Sequence, residues 1–372
     1  MKKILFIFGT RPEAIKMAPV IKMFQKNSHL FITKICVTAQ HREMLDQVLD
    51  FFEINVDYDL DLMKPAQNLY SLTSIIIDSL KSVLQNYRPE YIFVHGDTTT
   101  TLSSSIAGFY SGAKVCHIEA GLRTYNKLSP FPEEINRQLV SRISYYHFAP
   151  TESSKNNLIK ENISSESILV TGNTVIDALF MSVKKVQKNP SELIKKLSKK
   201  IKDKEIVLVT AHRRENHGEK FNNICNAIRR IAEQNKEKII IYPVHLNPKV
   251  QRPVKRILSD VKNIILINPL AYEDFIWLMS KSKIIITDSG GVQEEAPSLG
   301  KPVLVMRDNT ERPEAIKAGT VILVGTDEEL IVSTAIDLLN DENKYLNMSK
   351  RHNPYGDGLA SNRIVEFIKD QN

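Results

Sequence analysis

Short apolar runs recur along the chain, each followed by a polar cluster and then by a segment long enough for a helix. In the first half they are ILFIF, ITKICV, YIFVH, AKVCHI, HFA and ILVT; in the second, EIVLVT, KIIIYP, NIILI, KIIIT, PVLVM and TVILV. Their Val, Ile and Leu residues are contiguous rather than alternating, which is the pattern of strands covered by helices on both faces. Strand–helix repetition predicts right-handed crossovers and one parallel sheet in each half. The expected fold class is therefore α/β, with two Rossmann-like doubly wound parallel-sheet domains facing across a cleft at their strand C-termini.

Length agrees: 372 residues are long for a single core. Between the two sets of strands lies a lysine-rich stretch, residues 184–204, the natural linker region. Leu193, Ile194, Leu197 and Ile201 recur there at helical spacing, predicting an amphipathic helix with a solvated lysine face. Nine lysines against Glu192 and Asp203 in this stretch account for the whole formal charge of +7. The rest is balanced and lacks basic–aromatic interleaving, so no nucleic-acid partner is expected. No apolar run approaches the ~20 residues of a membrane span. MKKILFIF reads as a first buried strand rather than a leader, because the run is short and continues into RPEAIK. Cys36, Cys116 and Cys225 are scattered and odd in number, which points to a reducing cytoplasm and no zinc site.

Nearly every strand end carries unusual chemistry. Gly9 to Lys16 places Arg11 and Lys16 around a helix opened by Pro12, an anion-binding corner. Asp97 follows YIFVH, as a helix cap or as a reactive carboxylate; Glu119 follows AKVCHI directly. Glu133 and Glu134 follow Pro132 in a first turn, where capping suffices to explain one of them. Asp97, Glu119 and Glu133 can converge, and crowding of that kind moves a carboxyl pKa towards usefulness in acid–base work. In the second half His212, Arg213 and Arg214 form a cationic group, His245 follows the next strand, and Arg312 precedes a helix opened by proline. DSGGVQEEAPSLG after KIIIT is a strand–turn–helix. Gly290 and Gly291 leave room for an anion at a helix N-terminus, and Ser289 lacks the G-x-S-x-G setting of a nucleophile. Glu295 is placed to accept from a ribose, with Glu294 facing solvent. No G-x-G-x-x-G, P-loop or H-E-x-x-H occurs, so no cofactor and no metal are expected.

FGTRPEAIKMAPVI, VTAQHREMLDQVL, GDTTTTL, HIEAGLRT, SPFPEEINRQL, TAHRREN, YPVHLNP, DSGGVQEEAPSLGKPVLVMRDNTERPEA and GTD, in this order, resemble the bacterial non-hydrolysing UDP-N-acetylglucosamine 2-epimerases. The resemblance implies a glycosyltransferase-B-like fold, with domains 1–172 plus a returning helix 359–372, and 173–358 including 184–204. It implies interconversion of UDP-GlcNAc and UDP-ManNAc by a homodimer. Carried over position by position, Ser289, Gly290 and Gly291 would hold the diphosphate, Glu295 the ribose, and Phe275 the uracil. Arg11, Lys16, His212 and Arg312 would neutralise phosphate, and His212 would take part in catalysis beside Asp97, Glu119 and Glu133. Gln40, Glu43, Glu133, Arg213 and His245 match a region where some members bind UDP-GlcNAc as an activator. Ala66 and Glu43 depart from that activator pattern. A hydrolysing epimerase that releases ManNAc, a retaining glycosyltransferase and a silent nucleotide-sugar sensor are the rival readings.

Overall fold

In a computed structural model, residues 1–38, 42–62, 67–310 and 312–371 are described. The chain forms two compact units, Met1–Ala178 with Tyr355–Asn372, and Leu179–Pro354.

The first unit holds seven strands: β1 Lys2–Phe8, β2 Phe31–Val37, β3 Tyr58–Asp59, β4 Tyr91–His95, β5 Lys114–Ile118, β6 Tyr146–Ala149 and β7 Ile168–Val170. All pair in parallel in the order β3-β2-β1-β4-β5-β6-β7. The second holds β8 Ile206–Thr210, β9 Ile239–Pro243, β10 Ile264–Ile267, β11 Ser282–Thr287, β12 Val303–Val305 and β13 Val321–Leu323, parallel in the order β10-β9-β8-β11-β12-β13. Each apolar run anticipated as a strand is one, and the two α/β sheets repeat one doubly wound order. The order reverses between β1 and β4 in one unit and between β8 and β11 in the other, and loops after those strands are where such sheets bind ligands.

Burial explains the contiguous pattern. Ile4 to Phe8 and Ile284 to Ile286 are fully buried, with helices covering the sheets. In the first unit Phe6, Phe24, Phe31 and Phe93 pack ring to ring at 4.7–5.5 Å. The last helix, Ala360–Lys369, belongs to this unit. Phe367 meets Tyr146 edge-on at 4.9 Å, Lys2 Nζ donates to the Ile368 carbonyl at 2.7 Å, and the buried Asp177 accepts from the Ser361 amide at 2.8 Å.

The lysine-rich stretch is not a loose linker. Helix Glu192–Ile201 buries Ile194, Leu197 and Ile201 and leaves Leu193 exposed, so the apolar stripe is narrower than the spacing suggested. Ser191 caps it and donates to Asp274 at 2.6 Å, tying it to the second unit.

Candidate active site

Where the first sheet reverses, one buried carboxylate joins two loops. Thr10 caps helix Arg11–Lys26 in a reciprocal capping box with Glu13, whose Oε2 accepts from the Gly9 and Thr10 amides at 3.1 and 2.8 Å. Its Oε1 accepts from the Thr98 hydroxyl at 2.7 Å. The turn after β1 is thereby clamped to the turn after β4. Thr98, not Asp97, caps helix Thr99–Tyr110, so Asp97 is not spent on the helix.

Glu119 sits just beyond β5 at φ +64°, a left-handed conformation unfavourable for a side chain with a Cβ. Its carboxylate pairs with the Lys16 ammonium, and His95 Nε2 lies 3.1 Å away without alignment for a hydrogen bond. Burial alone would raise its pKa; Lys16 and then His95 outweigh it and hold the group well below the ordinary carboxylate range. Asp97 is pushed the other way. Burial raises it, the Arg137 guanidinium at 2.8 Å pulls it partly back, and the Glu119 charge adds to the rise. Asn136 Nδ2 steadies this turn by donating to the Asp97 carbonyl at 2.8 Å.

Asp97, Glu119 and Lys16 are thus one electrostatic cluster. Glu133 opens helix Glu133–Ile143, and its Oε2 is buried with no hydrogen-bond partner among the described residues. Its neighbour Glu134 is the structural member of the pair: it accepts from the Thr124 and Tyr125 amides at 2.9 and 3.1 Å, holding the preceding loop. Arg11 is half-buried at the start of its helix and makes no ion pair among the described residues.

The reversal of the second sheet carries the cationic group. Asp288, fully buried after β11, accepts from the His212 and Arg213 amides at 2.8 Å each. The His212 ring stacks on His245 at 5.4 Å. Burial lowers the His212 pKa, Asp288 opposes that, His245 and Arg213 add to it, and the net direction is down. The Ser289 amide donates to Thr287 Oγ1 at 2.9 Å, whereas Gly290 and Gly291 start helix Gly290–Glu295, where amides have no carbonyl four residues back. A Cβ on Gly290 would stand 3.7 Å from Arg213 and 4.0 Å from Arg312, so both guanidinium groups flank this turn.

Glu294 does not face solvent. It is 2% exposed and pairs with Arg312; Val292, Gln293 and Glu295 are buried as well, so the second half of this short helix has no solvent face. Glu295 is also buried, 3.4 Å from the Tyr272 hydroxyl. Phe275 is half-exposed on helix Tyr272–Lys281, and the exposed His245 accepts from the Asn247 amide at 3.1 Å. Glu43 is exposed on helix Arg42–Phe52 of the first unit; Gln40 and Ala66 lie outside the described residues.

A family profile described as UDP-N-acetylglucosamine 2-epimerase matches residues 23–369. The chain belongs to that family. The UDP-N-acetylglucosamine 2-epimerase of Escherichia coli K12 is 55% identical over 371 residues, covering 99% of this chain and 98% of that one. The enzyme of the same name from Campylobacter jejuni is 53% identical over 374 residues, covering 99% and 97%. A crystal structure of the Neisseria meningitidis UDP-GlcNAc 2-epimerase bound to UDP-GlcNAc is 52% identical, covers 99% of this chain and 100% of that one, and superposes with a TM-score of 0.87.

Four residues of this UDP-N-acetylglucosamine 2-epimerase family member received no role from sequence reading: Glu13, His95, Arg137 and Asp288. Glu13 had a legible signal, the T-x-x-E capping box with Thr10. His95 ends the YIFVH run and Asp288 opens the DSGG turn, so both had the signal of a strand end, as Asp97 and Ser289 do. Arg137 had no local signal, since only the fold brings it from a different helix to Asp97.

Proposed function

We propose that this protein converts UDP-N-acetylglucosamine to UDP-N-acetylmannosamine reversibly and without hydrolysis, as a cytoplasmic homodimer that needs neither NAD nor a metal. The observation that carries this reading is the pairing of two neighbouring carboxyl groups with different cations: Lys16 beside Glu119 lowers its pKa, while Arg137 at 2.8 Å only partly offsets the burial that raises that of Asp97. Such a pair suits one base and one acid.

The chemistry requires both. C2 of the sugar is not adjacent to a carbonyl, so simple removal and return of its proton is slow. Breaking the C1–O bond builds positive charge at C1 and acidifies C2–H. A base takes the C2 proton, the C2–H electrons form the C1=C2 bond, and the C1–O pair leaves on the β-phosphate of UDP. The 2-acetamidoglucal is then protonated at C2 from the other face, while the phosphate oxygen returns to C1. Glu119 is assigned to proton removal and Asp97 to delivery in one direction, with roles exchanged in the other. Glu133, with its unpartnered buried oxygen, is the third candidate.

UDP must be held while it bears the charge of a leaving group. The amides of Gly290 and Gly291, the Ser289 hydroxyl, Arg213 and Arg312 are assigned to the diphosphate, with Arg11 and His212 as further cations. Glu295 is assigned to the ribose and Phe275 to the uracil. Three buried free thiols fit a reducing compartment, and no helix among the described residues is long and apolar enough to cross a membrane. Exposed Phe109, Tyr110, Leu139 and Tyr145 lie on or beside two helices that pack together in the first unit, a surface suited to a second copy.

Product analysis by NMR tests the reading. The expected result is UDP-ManNAc in equilibrium with UDP-GlcNAc. Free ManNAc with stoichiometric UDP would make the enzyme a hydrolysing one, and unchanged UDP-GlcNAc that nevertheless binds would make the protein a sensor.

A further inference from the structure

Asp288 uses only half of its carboxylate on the backbone. Oδ2 accepts from the His212 and Arg213 amides at 2.8 Å, with Asn216 Nδ2 at 3.4 Å. Oδ1 is buried, has no hydrogen-bond partner among the described residues, and lies 3.4 Å from Nδ1 of His212. A buried carboxylate oxygen is costly to leave without a donor. The donor nearest to hand is the His212 ring, and a small ring rotation brings the pair to the ~3 Å of a hydrogen bond.

We propose that Asp288 is the positioning residue for His212: its Oδ1 holds a proton on Nδ1 and turns Nε2 towards the departing phosphate, to which Nε2 donates in the imidazolium form. This rests on the assignment of His212 to the leaving group made above. Imidazole alone offers two tautomers, and which nitrogen carries the proton is set by the partner of the other. Among the described residues, the remaining charged or titratable groups that face His212 are His245, stacked on it, and Arg213, next in sequence. Both oppose an imidazolium, so Asp288 is the one neighbour in this group that favours it. The same carboxylate sets the backbone through Oδ2 and the ring through Oδ1, so loop and tautomer are fixed together.

Asp288→Asn separates the two jobs. The amide oxygen can keep the two backbone bonds, while the amide NH₂ in place of Oδ1 donates to Nδ1 and forces the proton onto Nε2. In ¹⁵N-histidine NMR of the ligand-free enzyme, with the signal assigned by its loss in His212→Gln, wild type is expected to carry the proton on Nδ1 and Asp288→Asn on Nε2. Thermal unfolding of both checks that the variant folds. Turnover of Asp288→Asn should fall at least ~10²-fold; the comparable change in serine proteases costs about 10⁴-fold. The double variant Asp288→Asn/His212→Gln should be no slower than His212→Gln alone, because Asp288 acts through His212. The same tautomer in both proteins, or a further slowing by Asp288→Asn on top of His212→Gln, overturns the proposal. The NMR arm needs no turnover, so an enzyme that binds UDP-GlcNAc without epimerising it overturns the proposed function while the tautomer is still read.

Discussion

Lys16 and Arg137 divide two neighbouring carboxylates by unequal compensation. Lys16 with His95 overcomes the burial of Glu119, whereas Arg137 does not overcome that of Asp97. Glu119→Gln and Asp97→Asn should each lower kcat by ~10²–10⁴-fold, the usual worth of a general acid or base, while UDP affinity measured by calorimetry changes less than about threefold. A variant that mainly weakens UDP binding removes that residue from proton transfer. Lys16→Gln leaves the burial of Glu119 opposed by His95 alone, so its pKa rises. Activity is lost as Glu119 protonates, so the acid limb of the kcat/KM profile should move to higher pH; an unmoved limb contradicts the pairing. Asp97 and Glu119 were legible in the sequence because they follow buried strands. Their opposite pKa directions were not, since those depend on a lysine and an arginine that two separate helices bring to the strand ends.

The turns show the same division between what sequence displays and what packing decides. Gly290 and Gly121 are both invisible to a hydrophobicity pattern, yet substitution should separate them. Gly121 has φ +91° and a Cβ there would lie 2.2 Å from the Ser154 carbonyl oxygen, so Gly121→Ala should destabilise by at least ~2 kcal/mol in thermal unfolding. A Cβ on Gly290 meets only guanidinium groups at 3.7 and 4.0 Å, which is ordinary contact. Gly290→Ala should therefore melt like wild type and bind UDP at least about tenfold more weakly, because its methyl group occupies the place of the phosphate. Equal UDP affinity would take the diphosphate away from this turn. The contiguous apolar runs made twelve strands readable. β3 has only two residues and therefore no period to detect. Helix Gly290–Glu295 gives way at Pro297, which lacks an amide hydrogen, and Glu294 is inward because Val292 to Glu295 are all enclosed, which one turn of sequence does not display.

Over the whole molecule, each of the two doubly wound sheets has one reversal of strand order, and the segments just after the strands that flank it carry Arg11, Asp97, His212 and Ser289, an arrangement the repeated strand–helix pattern makes foreseeable. Less foreseeable is the acid sensitivity of the first unit. His117 and His147 are buried neighbours on β5 and β6, with burial lowering their pKa values to about 3 and about 4. Because both values are lowered, the unfolded chain binds these protons first, between its own pKa near ~6.5 and the folded values. Stability should thus be full above pH ~6.5 and fall by a few kcal/mol, roughly, as pH drops towards 4. Denaturant melts at pH 7.5 and 5 check this, and His117→Asn should flatten the dependence. The central claim, that the C2 proton leaves and another returns while UDP is parted from the sugar, has a direct measurement. UDP-GlcNAc incubated with the enzyme in D₂O, without NAD, should yield UDP-ManNAc bearing deuterium at C2 by NMR. UDP-ManNAc that retains its original C2 hydrogen would contradict the elimination.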